Sequence, residues 1–474
     1  MTIIRPKIQI LNDEYKKKIL DEAKNILFTQ GIFMENLEAI ELFNQVGIDN
    51  KDQRFFIPPD IVDKALKSSP AEIKMYDREG KENSTLTGDN VHFDPGSTAI
   101  SILDENSGDI RTPNSNDFIR FSKIVEQLKY IEMQSTAITY QDVPINAQDW
   151  HRLYLALLNC SKPIITGTLR KESFQTMREL LLTCRTSEKD LANKPLAIFD
   201  ACATSPLQWS DLTSQSVIDA AKSMIPSEII SMPMAGATSP ITLIGSITQH
   251  CAENLVGIVI AQLCKPSAPV IWGGSSAIFD MKYGNSPMGA IETMMLNIGD
   301  VEIGKFLNLP THAYIGLSDS KVPDAQSGFE AGIGSILAGL AGINVISGAG
   351  MLNFETTQSV EKLIIDNEIA GMVTRMVRGL EDYGEPFASN LLADYDEKKS
   401  FLSHRSTLKY FKKELFLPSL IINRMPLNIW KTSENKSTRK EAKSMAKKMA
   451  ENAPLKPLDD NVKRELDSIA EKHL

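Results

Sequence analysis

Cysteine and histidine are scarce, with five and six residues in a chain of 474. Cys160, Cys184, Cys202, Cys251 and Cys264 are scattered without a C-x-x-C pair. Free thiols are therefore expected rather than a disulfide framework. No H-E-x-x-H or H-x-H arrangement occurs, and the one close His/Cys pair, His250 and Cys251, sits in a helical stretch where neighbours point about 100° apart. A zinc site is poorly served, and no metal ligand is assigned. No run of about eighteen apolar residues marks a membrane span, and the opening MTIIRPKIQI lacks the long apolar core of a signal peptide. Basic excess is missing too: the net charge is −9 and the pI about 5.4, so there is no electrostatic footprint for nucleic acid. The expectation is a cytoplasmic protein with neither membrane nor nucleic acid as partner.

What is present is the composition of a globular enzyme, 42% hydrophobic and 23% charged. From about residue 90, short apolar β-rich runs alternate with longer helical segments, the grammar of a parallel sheet. The candidate strands are VHFDPG (91–96), IEMQSTAIT (131–139), KPIITGTL (162–169), LAIFDACAT (196–204), EIISMPMAG (228–236), PVIWGG (269–274), THAYIGL (311–317) and INVISGAG (343–350). Eight such units, without a G-x-G-x-x-G turn after the first, predict an α/β fold of the (β/α)₈ TIM-barrel type rather than an open Rossmann sheet. The expected division is 1–89 as N-terminal helices and β-hairpin decoration, 90–400 as the catalytic barrel, and 401–474 as a helical extension. Two hairpins, around D-R-E-G and N-S-G-D, are placed beside the first barrel strand. The Lys/Glu/Ala-rich tail is read as a helix covering the barrel or a neighbouring subunit, with a partner-binding arm as the alternative. The apolar helix ITLIGSITQHCAENLVGIVIAQLC either covers the barrel or forms a contact between copies, which leaves a homo-oligomer open.

Barrel active sites form at the C-terminal ends of the strands. Few carboxylates, no histidine and no lysine are expected to converge there, apart from Asp94 and the acidic loop SDSKVPDAQSGFEAG beyond strand seven. That sparsity argues against acid–base hydrolysis. It suits a quaternary ammonium substrate, which leaves as a neutral amine and needs no proton. Aromatic faces hold such a cation at roughly 0.5–2 kcal/mol each. Trp272, Phe279, Tyr283, Tyr314 and Phe354 are the candidate cage residues, with Phe93 and Tyr140 as further strand-end aromatics. Each has a plain alternative as a core or loop anchor. Asp324, Gln326 and Glu330 are the candidate catalytic residues, and capping of the following helix is their alternative reading. The turn SGAGML after strand eight, with Gly348, Gly350 and Met351, is the candidate contact for a phosphate-bearing cofactor tail. Close packing of that turn is the equal alternative.

Three stretches carry a family resemblance. PMAGATSPITLIGSITQHCAENLVGIVIAQLCKPSAPVIWGG (233–274), DAQSGFEAGIGSILAGLAGINVISGAGMLNFETTQSVEKLIIDNEIAGMV (324–373) and GSTAISILDENSGDIRTPNSNDF (96–118) resemble the trimethylamine methyltransferase family, over roughly residues 1–400. The resemblance implies a barrel that docks a small corrinoid protein at its mouth and passes a methyl group to cobalt(I). The corrinoid is carried by that partner, and no cofactor is bound tightly by this chain. Trimethylamine enzymes carry a pyrrolysine from an in-frame amber codon, whereas this sequence has only standard residues. Members without it resemble glycine betaine methyltransferases and relatives using proline betaine, carnitine or γ-butyrobetaine. Glycine betaine is thus the first expectation. The remaining alternatives are a non-catalytic betaine-binding protein and a zinc-dependent methanol-type enzyme. Backbone N–H groups near Gly96–Thr98, or Gln326, are the candidate donors to a betaine carboxylate; no Arg or Lys is evident there.

Overall fold

The computed structural model describes residues 3–96, 98–393, 400–433, 437–451, 456 and 458–474. Eight parallel strands form its centre: β1 (His92–Phe93), β2 (Gln134–Ser135), β3 (Ile164–Thr166), β4 (Ala197–Ala203), β5 (Ser227–Ser231), β6 (Val270–Gly274), β7 (Thr311–Tyr314) and β8 (Val345–Ser347). They pair in the order β2-β3-β4-β5-β6-β7-β8-β1. The two edges also meet. Glu132 N and Met133 N donate to Phe93 O at 2.9 and 3.1 Å, and Ala99 bridges Ile138 beyond them. The sheet is therefore closed into a (β/α)₈ barrel. Seven of the eight strands fall inside the runs read from the sequence, and β5 begins one residue ahead of its run, at Ser227. Strands buried on both faces are apolar nearly throughout, which makes them conspicuous.

The connecting helices are α4 (Ser115–Gln127), α5 (Gln148–Asn159), α6 (Ser173–Thr183) with the short α7 (Glu188–Asn193), α8 (Asp211–Ser223), α9 (Leu243–Cys264), α10 (Ile291–Phe306), α11 (Ala325–Ala341) and α12 (Val360–Arg378). Before the barrel come α1 (Asp13–Thr29), α2 (Leu37–Gln45) and α3 (Pro59–Ser68); after it come α13 (Ser389–Ala393), α14 (Arg405–Glu414), α15 (Leu427–Thr432), α16 (Thr438–Glu451) and α17 (Asp460–His473). Local chemistry sets the ends. Asn12 accepts from Tyr15 N to start α1, and Asn114 with Asp117 forms a capping box on α4.

Helix α9 is long and apolar enough to cross a bilayer, yet it is mostly buried inside this chain against α1, α3 and α8. It covers the barrel within one copy, so its composition is no sign of a subunit contact. Helices α16 and α17 likewise pack on α12, α4, α5 and α6. The two hairpins separate. Ile73–Tyr76 with Glu82–Leu86 plugs the barrel floor, its Ile73, Met75 and Leu86 meeting Met133, Ile165, Ile198, Ile271 and Val345. The second, Ser101–Leu103 with Ile110–Arg111, joins Thr357–Gln358 beside the extension of β1.

Candidate active site

Side chains alternate along a barrel strand, so every second residue enters the interior. Above the aliphatic floor, that parity brings together Asp94 just after β1, Asp200 in β4, Glu228 in β5, His312 and Tyr314 in β7, and Ser347 in β8. All are buried except Asp200, which keeps partial exposure. An apolar collar of Ala99, Ile230, Ala277, Met288, Leu317 and Met351 lies around Tyr314. Gly273 in β6 leaves the space that the layer needs: a Cβ there would lie 2.5 Å from Glu228 Oε1.

The polar layer is a connected chain. His312 Nδ1 meets Glu228 Oε2, His312 Nε2 meets Ser347 Oγ, and Ser347 Oγ meets Asp94 Oδ1. Tyr314 stacks on His312 with ring centroids 4.9 Å apart, and its hydroxyl donates to Asp200 Oδ2 at 3.2 Å. Burial pushes Asp94 up to about 7 and moves Glu228 and Asp200 well above the usual carboxylate range, the charge of Glu228 adding to the rise at Asp200. Burial lowers His312, so its ring is neutral. The empty layer therefore stores protons.

Two proton arrangements fit the geometry. In one, His312 Nδ1–H donates to an ionised Glu228, Ser347 donates to Nε2, and protonated Asp94 donates to Ser347. In the other, every proton shifts along the chain, and the negative charge sits on Asp94. A single charge can thus move between the two ends without a change in proton count. The layer offers a counter-charge that can be placed at either end of the chain.

This overturns the expectation of a site poor in carboxylates and lacking histidine. The strand-end rule selected residues by height and ignored parity. Asp200, Glu228 and His312 sit within strands, where an ionisable residue in an otherwise apolar run was the available signal. Tyr314 alone of the expected cage residues enters the layer. Trp272 has the opposite parity to Gly273 and points outward: it is fully buried, its Nε1–H donates to Asp300 O at 2.8 Å, and it packs on Gly304. Phe93 also faces the helices, and Tyr140 bonds His151 Nδ1 at 2.7 Å beside Phe118. Phe279 is half-buried, its N–H tied to Ala235 O at 3.1 Å. Tyr283 is exposed with the Lys282 ammonium 4.7 Å from its ring centroid, and Phe354 carries the Lys321 ammonium at 4.0 Å. These two rings already face cations.

The loop after β7 is a brace. Asp324 caps α11 with Ser327 and accepts from Ser320 Oγ at 3.0 Å. Glu330 accepts from Ser318 Oγ, Asp319 N and Gln326 Nε2 at 2.6, 2.9 and 2.9 Å. Asp319 holds Met288 N and Gly289 N at 2.9 and 2.8 Å, joining the loops after β6 and β7. None of Asp324, Gln326 and Glu330 joins the polar layer. The turn after β8 is closely packed. Gly350 N donates to Asp366 Oδ2 at 2.7 Å, a Cβ on Gly350 would lie 2.1 Å from Gln358 Oε1, and Met351 is buried against Gly96. Gly348 and Gly350, with φ of +124° and +87°, serve that packing rather than presenting an open phosphate cradle. Of the proposed carboxylate donors, Gly96 N is spent on Asp94 Oδ2 at 3.3 Å and Gln326 on Glu330, while Ser97 lies outside the described residues.

The description of one protein family, trimethylamine methyltransferase (MTTB), matches residues 2–473. The chain belongs to that family. It is a methyltransferase, with a barrel built around a buried acidic layer. A trimethylamine methyltransferase of Desulfitobacterium hafniense (strain DSM 10664 / DCB-2) is 29% identical over 463 residues, covering 97% of this chain and 93% of that relative. A glycine betaine methyltransferase of Desulfitobacterium hafniense (strain Y51) is also 29% identical, over 466 residues, covering 98% and 97%. Among solved structures, the monomethylamine methyltransferase of Methanosarcina barkeri superposes with a TM-score of 0.49 at 10% identity, covering 95% of this chain and 89% of that one.

Proposed function

We propose that this cytoplasmic enzyme takes a methyl group from a small quaternary amine, glycine betaine first, and delivers it to a corrinoid protein docked at the barrel mouth. The buried acidic layer carries this reading. A permanent cation cannot surrender a proton, so it must be met by negative charge. Asp200, Glu228 and Asp94 are the groups able to ionise, with Asp200 the member still open to solvent. As the cation settles, its field lowers their pKa values and one proton leaves.

The same layer answers the hazard of a fixed counter-ion, which would stabilise the ground state most. The carbon–nitrogen bond breaks with its electron pair remaining on nitrogen, and the positive charge vanishes. A proton then returns from solvent by way of the half-exposed Asp200 to Glu228, and the relay through His312 and Ser347 carries the neutralisation on to Asp94, so no stranded buried anion opposes the step. The corrinoid, when presented by its partner, supplies the nucleophilic metal that receives the methyl group. The rim fits such a partner: Ile100, Ile145, Leu169, Met232, Ile241 and Met281, from loops after five different strands, are all exposed. Apolar side chains in that ring are what a docking protein would cover.

The test incubates purified protein with cob(I)alamin and a panel of glycine betaine, proline betaine, carnitine, γ-butyrobetaine, choline, tetramethylammonium and trimethylamine, following cobalt absorbance. Methylation from quaternary amines, fastest with glycine betaine, is the expected result. Methylation from trimethylamine alone would overturn the substrate, and tight betaine binding without transfer would indicate a binding protein instead.

A further inference from the structure

Among the described residues, three arginine or lysine side chains are buried: Arg78, Arg152 and Lys362. Two of them have counter-ions, since Arg78 pairs with Glu79 at 3.0 Å and Lys362 with Asp366 at 2.5 Å. Arg152, 1% exposed, forms no ion pair among the described residues. A guanidinium stays protonated when buried, and burying it without a counter-ion is costly. Its nearby carboxylate, Asp149, is engaged elsewhere, accepting from Trp150 N and Leu169 N at 2.9 Å each.

The Arg152 guanidinium is held where β1 and β2 run on toward the mouth. From the second turn of α5, Nη1 donates to Thr136 O at 2.9 Å, Thr139 Oγ1 at 3.1 Å and Thr98 Oγ1 at 3.4 Å; Nε donates to Gln148 O at 3.1 Å. Thr98 and Thr139 belong to the seam that closes the barrel, where Thr139 N donates to Ala99 O at 2.8 Å. Both threonines are only half-buried, whereas the guanidinium they contact is covered. Each hydroxyl accepts from Arg152, which leaves its own hydrogen for another acceptor. A polarised hydroxyl pair backed by a buried guanidinium that makes no direct ion pair suits a carboxylate.

We propose that Thr98 and Thr139, backed by Arg152, bind the carboxylate of the substrate, so that this chain selects carboxylate-bearing quaternary amines over those without one. The seam continues directly from Asp94, so the cation and the carboxylate of one molecule are received along the same edge of the barrel. This rests on the quaternary-amine reading and adds a specificity-determining site to it.

Calorimetric affinities for glycine betaine, γ-butyrobetaine and choline, measured on wild type, Thr98→Val, Thr139→Val and Arg152→Gln, test it. The valine variants keep shape and remove the hydroxyls, so they answer even if Arg152→Gln fails to fold. Wild type binds both betaines more tightly than choline; the variants weaken the betaines by about tenfold or more and leave choline within about twofold. Equal losses for all three ligands, or no loss for any, would overturn the site while leaving the quaternary-amine reading intact. If wild type binds no quaternary amine, that broader reading fails instead.

Discussion

Glu228→Gln is expected to lower methyl transfer by about 10²–10³-fold, the loss typical when one preorganised charge-stabilising group is removed. The amide can still bond His312, but it can neither ionise to meet a cation nor accept the proton that returns when the cation is discharged. Glutamine matches glutamate in size and keeps a polar partner for His312, so the melting temperature should move little. Asp200→Asn should behave alike, since its carboxyl faces both Tyr314 and Glu228. Single-turnover transfer to cob(I)alamin, read beside thermal melting, separates the two effects. Full activity in either variant would remove that carboxyl from the reaction.

Trp272→Ala should do the reverse. The indole is fully buried, its nitrogen donates to Asp300 O, and its ring lies 5.9 Å from that of His250. Its loss opens a large cavity and should cost about 3–5 kcal/mol of stability. In the protein that remains folded, the apparent substrate affinity should change less than about twofold. Thermal unfolding with substrate titration decides the matter. Unchanged stability with weakened binding would restore Trp272 to the cation site.

These two residues show where the sequence was legible and where it was not. The strand containing Trp272 is legible in VIWGG, because a parallel strand buried on both faces is largely apolar. Which face Trp272 takes depends on parity, and Gly273 settles it by ceding its inward position to the Glu228 carboxylate. Tyr314 shares parity with His312 and so enters the layer. Glu228 and Asp200 were printed in apolar runs, yet their meeting depends on the register that sets Asp200 beside Glu228. Register is a tertiary property that no single strand reveals. Gly348 and Gly350 illustrate the other failure. A glycine-rich turn after strand eight has the look of a phosphate cradle, but Gln358 and Asp366, supplied from further along the chain, fill it. Arg152 is illegible for a third reason: on an amphipathic helix its burial and its lack of a direct ion pair become visible only in three dimensions.

The most direct measurement is calorimetric titration of glycine betaine into wild type near pH 6.5, in two buffers of different ionisation enthalpy. If the empty layer stores a proton that a permanent cation displaces, about one proton leaves per ligand bound, and affinity rises with pH before levelling off above about 7. Binding with no proton released and no pH dependence would contradict the account.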